Sequence, residues 1–155
     1  MSWHASLPWP FVRQLYRDFR RAFFTKPRPE GVYLRIHDAT ARGLERDLGS
    51  KYFAPNWEFS YNKQGEDINL ARIESAPHPI WTGTNVEWMQ DHIRGWAQEG
   101  FVDLGCHYEP EPTEHAKEHL EGGPFSRSDG MDHLRAVLDE LDIEYEEVEW
   151  SDESS

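Results

Sequence analysis

Apolar residues recur along this chain with two different periods, and the changes of period divide it into elements. Over residues 9–24, Phe11, Val12, Leu15, Tyr16, Phe19 and Phe23 fall on one face of a helix, with a second stripe of Arg13, Arg17, Arg20 and Arg21 beside it. The prolines of KPRPEG (26–31) end that helix, because proline has no amide proton for a helix interior. GVYLRIH (31–37) then alternates. Val32, Leu34 and Ile36 point one way and Tyr33, Arg35 and His37 the other, which is the period of a half-buried strand. Asp38 can cap a short helix ending at Leu48, with Gly49 just beyond it. WEFSY (57–61) and INLARI (68–73), joined by the turn residues NKQGED, predict a hairpin.

Helical spacing returns at Val86, Met89, Ile93 and Trp96, behind a capping box of Thr84 and Glu87, and predicts a helix over 85–98. FVDLGCHYE (101–109) alternates again, with Val102, Leu104, Cys106 and Tyr108 on the apolar side. Thr113 opens a short helix closed by Gly122. Ser128 or Asp129 caps another, in which Met131, Leu134, Val137, Leu138 and Leu141 face inward. IEYEEVEW (143–150) predicts a last, acidic strand, and residues 151–155 a loose tail.

From 31 to 109 the order is strand, helix, strand, strand, helix, strand. The expected fold class is therefore α+β, a ferredoxin-like βαββαβ sandwich with an N-terminal helix and a C-terminal helix–helix–strand extension, in one domain over residues 1–150. A winged-helix domain with 57–74 as its wing is the alternative. Four cleanly alternating strands favour the sandwich, since a wing needs only two.

Composition changes this picture in two ways. Hydrophobic residues make up only 37% of the 155 residues, but aromatics reach 14%, so the core is expected to be small and aromatic-rich. Acid dominates the charge: 29 Asp and Glu against 16 Lys and Arg, for a net −13, with Arg outnumbering Lys 12 to 4. High acid with scarce lysine suits a protein hydrated in concentrated salt, where screening over a few ångströms removes most self-repulsion. The charge is also uneven: residues 1–28 carry a net +5 and residues 29–155 a net −18. With a single cysteine, Cys106, no intrachain disulfide can form. No apolar run approaches a membrane span and the first residues lack a signal-peptide core, so a cytoplasmic location is expected.

Three places can carry chemistry. The first is HYEPEPTEHAKEHLEG (107–122), which holds three of the eight histidines among five glutamates. Asp103, His107 and Glu109 share one side of an extended strand. His115 and His119 stand one helical turn apart, so His107, His115 and His119 could supply three nitrogens to a divalent metal, with a neighbouring carboxylate as support. The same residues also read as an ordinary half-solvated acidic helix, and the HExxH order of zinc hydrolases is missing. The second is the arginine stripe, Arg13, Arg17, Arg20 and Arg21, which can neutralise nucleic-acid phosphates, rest on an anionic membrane, or pair with the chain's own acid; nine carboxylates and no Lys or Arg lie between Asp139 and the end. The third is the polar side of the sheet, where Arg35, His37, Asp103 and Glu109 are candidates for a small polar site or an acid–base pair, and also for the solvated half of an antiparallel sheet.

Phosphate-loop, dinucleotide and nucleophile-elbow motifs are all missing, and Cys106 falls on the apolar side of its strand, away from nucleophile chemistry. The strings GFVDLGCHYEPEPTEH (100–115) and WEFSYNKQGEDINLARIE (57–74) resemble haloarchaeal proteins of unknown function, including ones carried on mobile elements. That resemblance implies a salt-rich cytoplasm and no particular activity. The expected function is a salt-adapted binding or accessory protein that needs no cofactor and has an unspecified partner. The alternatives are a metal-dependent, hydrolase-like enzyme using the His/Glu cluster at 103–119, and a nucleic-acid-binding protein using residues 9–24.

Overall fold

A computed structural model describes residues 10–23, 26–56, 64–75, 88–111 and 126–152. It is a mixture of helices and a single antiparallel sheet, an α+β fold. Among the described residues the helices are α1 (Pro10–Phe23), α2 (Ala41–Gly49) and α3 (Arg127–Glu140). The strands are β1 (Gly31–His37), β2 (Ala54–Pro55), β3 (Ile68–Ser75), β4 (Trp88–Gln98), β5 (Phe101–Pro110) and β6 (Glu146–Trp150). The sheet order is β2-β3-β4-β5-β1-β6, and every neighbouring pair is antiparallel.

Several elements sit where the periodicity put them. β1 covers 31–37, and β5 starts at Phe101, as expected. These two strands lie side by side, Leu34 opposite Leu104 and Arg35 opposite Asp103. Two caps differ from expectation. α2 is capped by Thr40, whose hydroxyl accepts from the Gly43 amide, while Asp38 occupies a turn at φ 52°. α3 is capped by Ser126, which accepts from the Asp129 amide.

The main correction concerns residues 88–98. The helix expected over 85–98 is a strand in its described part, β4, so the βαββαβ order is not the one observed. β4 is a central strand, paired on one side with β3 and on the other with β5. Every residue from Met89 to Trp96 is buried, so the strand shows no solvent-facing polar half from which its period of two could be read. Met89, Ile93 and Trp96 match helical spacing only by coincidence, since Ile93 and Trp96 point to opposite faces. Gly95 also belongs in a strand. A β-carbon there would lie 2.7 Å from Leu104 Cδ2, so its absence lets the neighbouring chain close in. The tight β4–β5 turn is made by Glu99 and Gly100, the latter at φ 87°.

One face of the sheet carries the apolar core. Leu34, Ile36, Ile68, Leu70, Ile93, Val102, Leu104 and Cys106 meet Leu44 and Leu48 of α2 and Met131, Leu134, Val137 and Leu138 of α3. Gly130 lets α3 lie directly on β5, because a β-carbon there would overlap the His107 main chain. The expected hairpin partner of β3, residues 57–61, lies outside the described residues; within them β3 pairs with the short β2. The expected short helix from Thr113 to Gly122 also lies outside them. α1 presents Phe11, Leu15, Phe19 and Phe23 outward, while Arg21 reaches back to Asp67 at 2.6 Å. No helix among the described residues is long and apolar enough to cross a membrane.

Candidate metal centre on the polar face of the sheet

The opposite face of the same strands is polar, yet it is as deeply buried as the core. Register dictates its contents. His92 on β4 stands directly opposite His107 on β5, and Gln90 stands opposite Glu109. Asn69 on β3 is paired with Arg94, one step along from His92. Antiparallel neighbours with side chains on one face sit about 4.5–5.5 Å apart at Cβ, so these polar groups are forced together.

They form a continuous hydrogen-bonded line. Glu109 Oε1 accepts from Gln90 Nε2 at 2.6 Å and lies 2.9 Å from His92 Nδ1. Glu109 Oε2 lies 2.8 Å from His107 Nε2. The two imidazole centroids are 4.7 Å apart. On its other side His92 Nε2 is 2.9 Å from Asn69 Oδ1. Asn69 Nδ2 donates to Glu66 Oε1 at 2.8 Å, and Glu66 also accepts from Arg94 Nη1 and from the Gln64 amide. Glu109 is 1% exposed and His92 2%; His107 is the partly exposed member.

Electrostatics follows from that burial. Burial alone would raise the Glu109 carboxyl, but the hydrogen bonds from His107 and His92 outweigh it and hold the group well below the usual carboxylate range. His92 is pushed down to about 3, first by burial and then by the Arg94 charge, against the opposing pull of Glu109. The neighbours of its two nitrogens then decide where a proton sits.

The position of that proton matters. Asn69 turns its amide nitrogen to Glu66, so its oxygen faces His92 Nε2 and calls for an N–H there. His92 Nδ1 faces the Glu109 carboxylate at 2.9 Å, where a proton or a cation satisfies both. Two imidazole nitrogens and a carboxylate oxygen, one each from His92, His107 and Glu109, lie within 4.8 Å of one another. This donor set suits zinc and other divalent first-row transition ions. Holding the non-ligating nitrogen of a metal histidine on a carbonyl is the usual supporting arrangement.

Comparison with protein-family models, with curated proteins and with solved structures returned no match to this chain. The reading of the centre therefore rests on its geometry.

The residues singled out from the sequence are partly gathered here and partly dispersed. His107 and Glu109 are in the cluster, while His115 and His119 lie outside the described residues. Of the four residues considered for one polar site, Arg35 grips Asp103 through Nε at 2.7 Å and Nη2 at 3.0 Å, and that bond raises the Arg35 pKa. His37 stands apart at the end of β1, exposed, with Nε2 2.9 Å from Glu146. Glu109 is six residues up β5 from Asp103, about 20 Å at the rise of a strand, so it joins the histidines instead. Arg21 pairs with Asp67 at 2.6 Å, and Glu147 of the acidic C-terminal strand is held by Arg135 at 2.6 Å. The charge of Arg17 acts on Glu45 of α2. The side chains of Arg13 and Arg20 lie outside the described residues.

Sequence reasoning missed His92 and Asn69. His92 fell within an expected helix, and Asn69 within an expected strand with no role given to it. The available signal was the alternation Gln90, His92, Arg94, Trp96, four polar or amphipathic side chains at a period of two.

Proposed function

We propose that this protein is a salt-adapted binder of a divalent transition metal, with His92, His107 and Glu109 as ligands. The observation that carries the reading is the fixed orientation of His92. Asn69, itself anchored by Glu66, which Arg94 also holds, fixes the Nε2 edge and leaves the Nδ1 edge towards Glu109 and His107. Three protein ligands leave coordination positions for water or a small ligand, as in metal sites that do chemistry rather than only hold a fold. His107, the partly exposed member, marks the side from which solvent reaches the centre. The chemistry such an ion would supply is polarisation of a bound oxygen and activation of water, the basis of a hydrolase-like role. The salt-adapted part of the reading is supported by the net −13 charge and the scarcity of lysine.

Protein purified without an affinity tag, stripped with chelator and titrated with Co²⁺ tests the metal reading. One equivalent is expected to give visible d–d absorption from a nitrogen- and oxygen-ligated ion and to raise Tm. His92→Ala and His107→Ala are expected to weaken binding at least a hundredfold, and Asn69→Ala about ten- to a hundredfold, the usual effect of losing a supporting partner. Absence of stoichiometric binding, or binding indifferent to His92→Ala and His107→Ala in folded protein, refutes it. Salt adaptation is tested separately by melting in dilute buffer and in molar KCl, where equal stability in both would refute it.

A further inference from the structure

A second feature of the polar face is independent of the metal centre. Arg28 lies between Pro27 and Pro29 in the segment leading into β1, and the Tyr33 hydroxyl donates to the Pro29 carbonyl, so the segment is pinned. The Arg28 side chain is only 7% exposed. Its guanidinium lies 3.8 Å from the centroid of Tyr33, 4.8 Å from Trp96 and 5.1 Å from Trp150. Through Nη1 it donates to Asp103 at 3.0 Å.

The other edge of the same guanidinium is covered but unpaired. Nε and Nη2 are buried and have no hydrogen-bond partner. These are the two nitrogens with which Arg35 grips Asp103 in parallel, at 2.7 and 3.0 Å. That edge is the one best matched to a planar pair of oxygens. Among the described residues the other buried side-chain nitrogen lacking a hydrogen bond, Arg72 Nε, lies 2.8 Å from Glu74 Oε1 and so has an acid beside it. Arg28 Nε and Nη2 have none. The charges agree. Asp103 is shared by two guanidiniums and the other acid acting on Arg35, Glu146, is exposed, so this trio has no second buried counter-ion among the described residues.

We propose that the Nε–Nη2 edge of Arg28 is a receptor for a small organic carboxylate. The two carboxylate oxygens accept from Nε and Nη2, and the organic body lies against the aromatic walls of Trp96, Trp150 and Tyr33. A monoanion neutralises the spare charge and satisfies both buried donors at once. The aromatic surroundings favour a flat or apolar body over a strongly hydrated, multiply charged anion. Because Nε and Nη2 are closed to solvent, a wall must move to admit the ligand; β6 is the last strand of the sheet, and its Trp150 is that wall.

The test uses the intact chain, ¹⁵N-labelled, with arginine Nε–H correlations and tryptophan fluorescence followed together. Sodium acetate, sodium benzoate and inorganic phosphate are titrated at constant ionic strength against chloride. One Nε–H resonance, missing in Arg28→Lys, is expected to shift saturably with acetate and more tightly with benzoate, in step with the fluorescence change. In folded Arg28→Lys the fluorescence titration is expected to weaken at least tenfold, because lysine keeps the charge and loses the fork. Arg135→Lys, on α3, is expected to leave it unchanged. Three results would overturn the proposal: no saturable shift in the wild-type protein, an unaltered fluorescence titration in folded Arg28→Lys, or phosphate binding ahead of both carboxylates. If Arg28→Lys does not fold, the wild-type Nε–H titration decides by itself.

Discussion

The two faces of this sheet are buried to a similar depth and held by different physics. On one, Leu34, Ile93, Val102 and Leu104 meet Leu134 and Leu138, and the attraction is non-directional, about 1.5–3 kcal/mol for each large aliphatic side chain removed from water. On the other, Asn69, His92, Arg94, Asp103 and Glu109 are also withdrawn from water, but each is tolerable only with its partner in place. The apolar face can exchange one shape for another of equal volume at small cost. The polar face specifies particular atoms, and a single missing partner leaves a charge or donor stranded. A domain with a modest apolar share has used the second face for specificity, and that is where the candidate chemistry lies.

Removing a partner on the polar face is expected to have the largest effect. Glu109→Ala strands His92, His107 and Gln90 and is expected to lower stability by about 3–5 kcal/mol in urea unfolding, with complete loss of metal binding. Leu104→Ala, its counterpart on the apolar face, is expected to lower stability by about 2–5 kcal/mol while changing Co²⁺ affinity by less than threefold. If the two variants lost metal affinity equally, the faces would not be functionally distinct. Gly130→Ala links the faces, because the new methyl pushes α3 off the His107 main chain. A loss of about 1–3 kcal/mol with a measurable drop in metal affinity is expected.

A pH profile of metal-free protein sharpens the comparison further. The folded-state pKa of His92, about 3, lies below its unfolded value, so between about 6.5 and 3 the unfolded chain binds the extra proton and the folded one does not. Stability should therefore decline as pH falls through that window. Glu109, depressed below the ordinary carboxylate range, adds stability that is present above about 4.3 and is lost on further acidification. The decline should begin near pH 6.5, steepen below about 4.5, and lose its first part in His92→Asn. A flat profile between 6.5 and 4.5 would mean that His92 is already a cation in the fold. The smallest effect is expected at the surface, where Lys51→Ala breaks an exposed pair with Glu140 and should leave the urea midpoint almost unchanged.

β1, β3, β5 and the helices flanking them were legible because each keeps a recognisable period and a start or stop signal. Val102, Leu104 and Cys106 were assigned to the helix-covered face, and they are there. β4 was not legible, since Asp91 interrupts the alternation of Gln90, His92, Arg94 and Trp96, and a few apolar residues at three- and four-residue intervals imitate a helix. With β4 misassigned, His92 could not be placed, and the metal ligands were sought on 107–119. Asp103, His107 and Glu109 were correctly put on one side of a strand, but their partners stand on β1 and β4, and local spacing carries no information about those.

By itself the sequence determined the α+β class, the division of β5 into an apolar and a polar side, the charge and its uneven distribution, and the solitary cysteine. These follow from periodicity and composition, which act within a dozen residues. Only the tertiary structure decided which polar side chains are neighbours. Strand register sets His92 against His107, chain reversal at Gly100 brings β4 back along β5, and packing seals Arg28 among three rings with one edge unpaired. The physical reason is range. Hydrophobic patterning is written residue by residue, whereas a hydrogen-bonded site is closed by groups that the chain brings together only after it has folded.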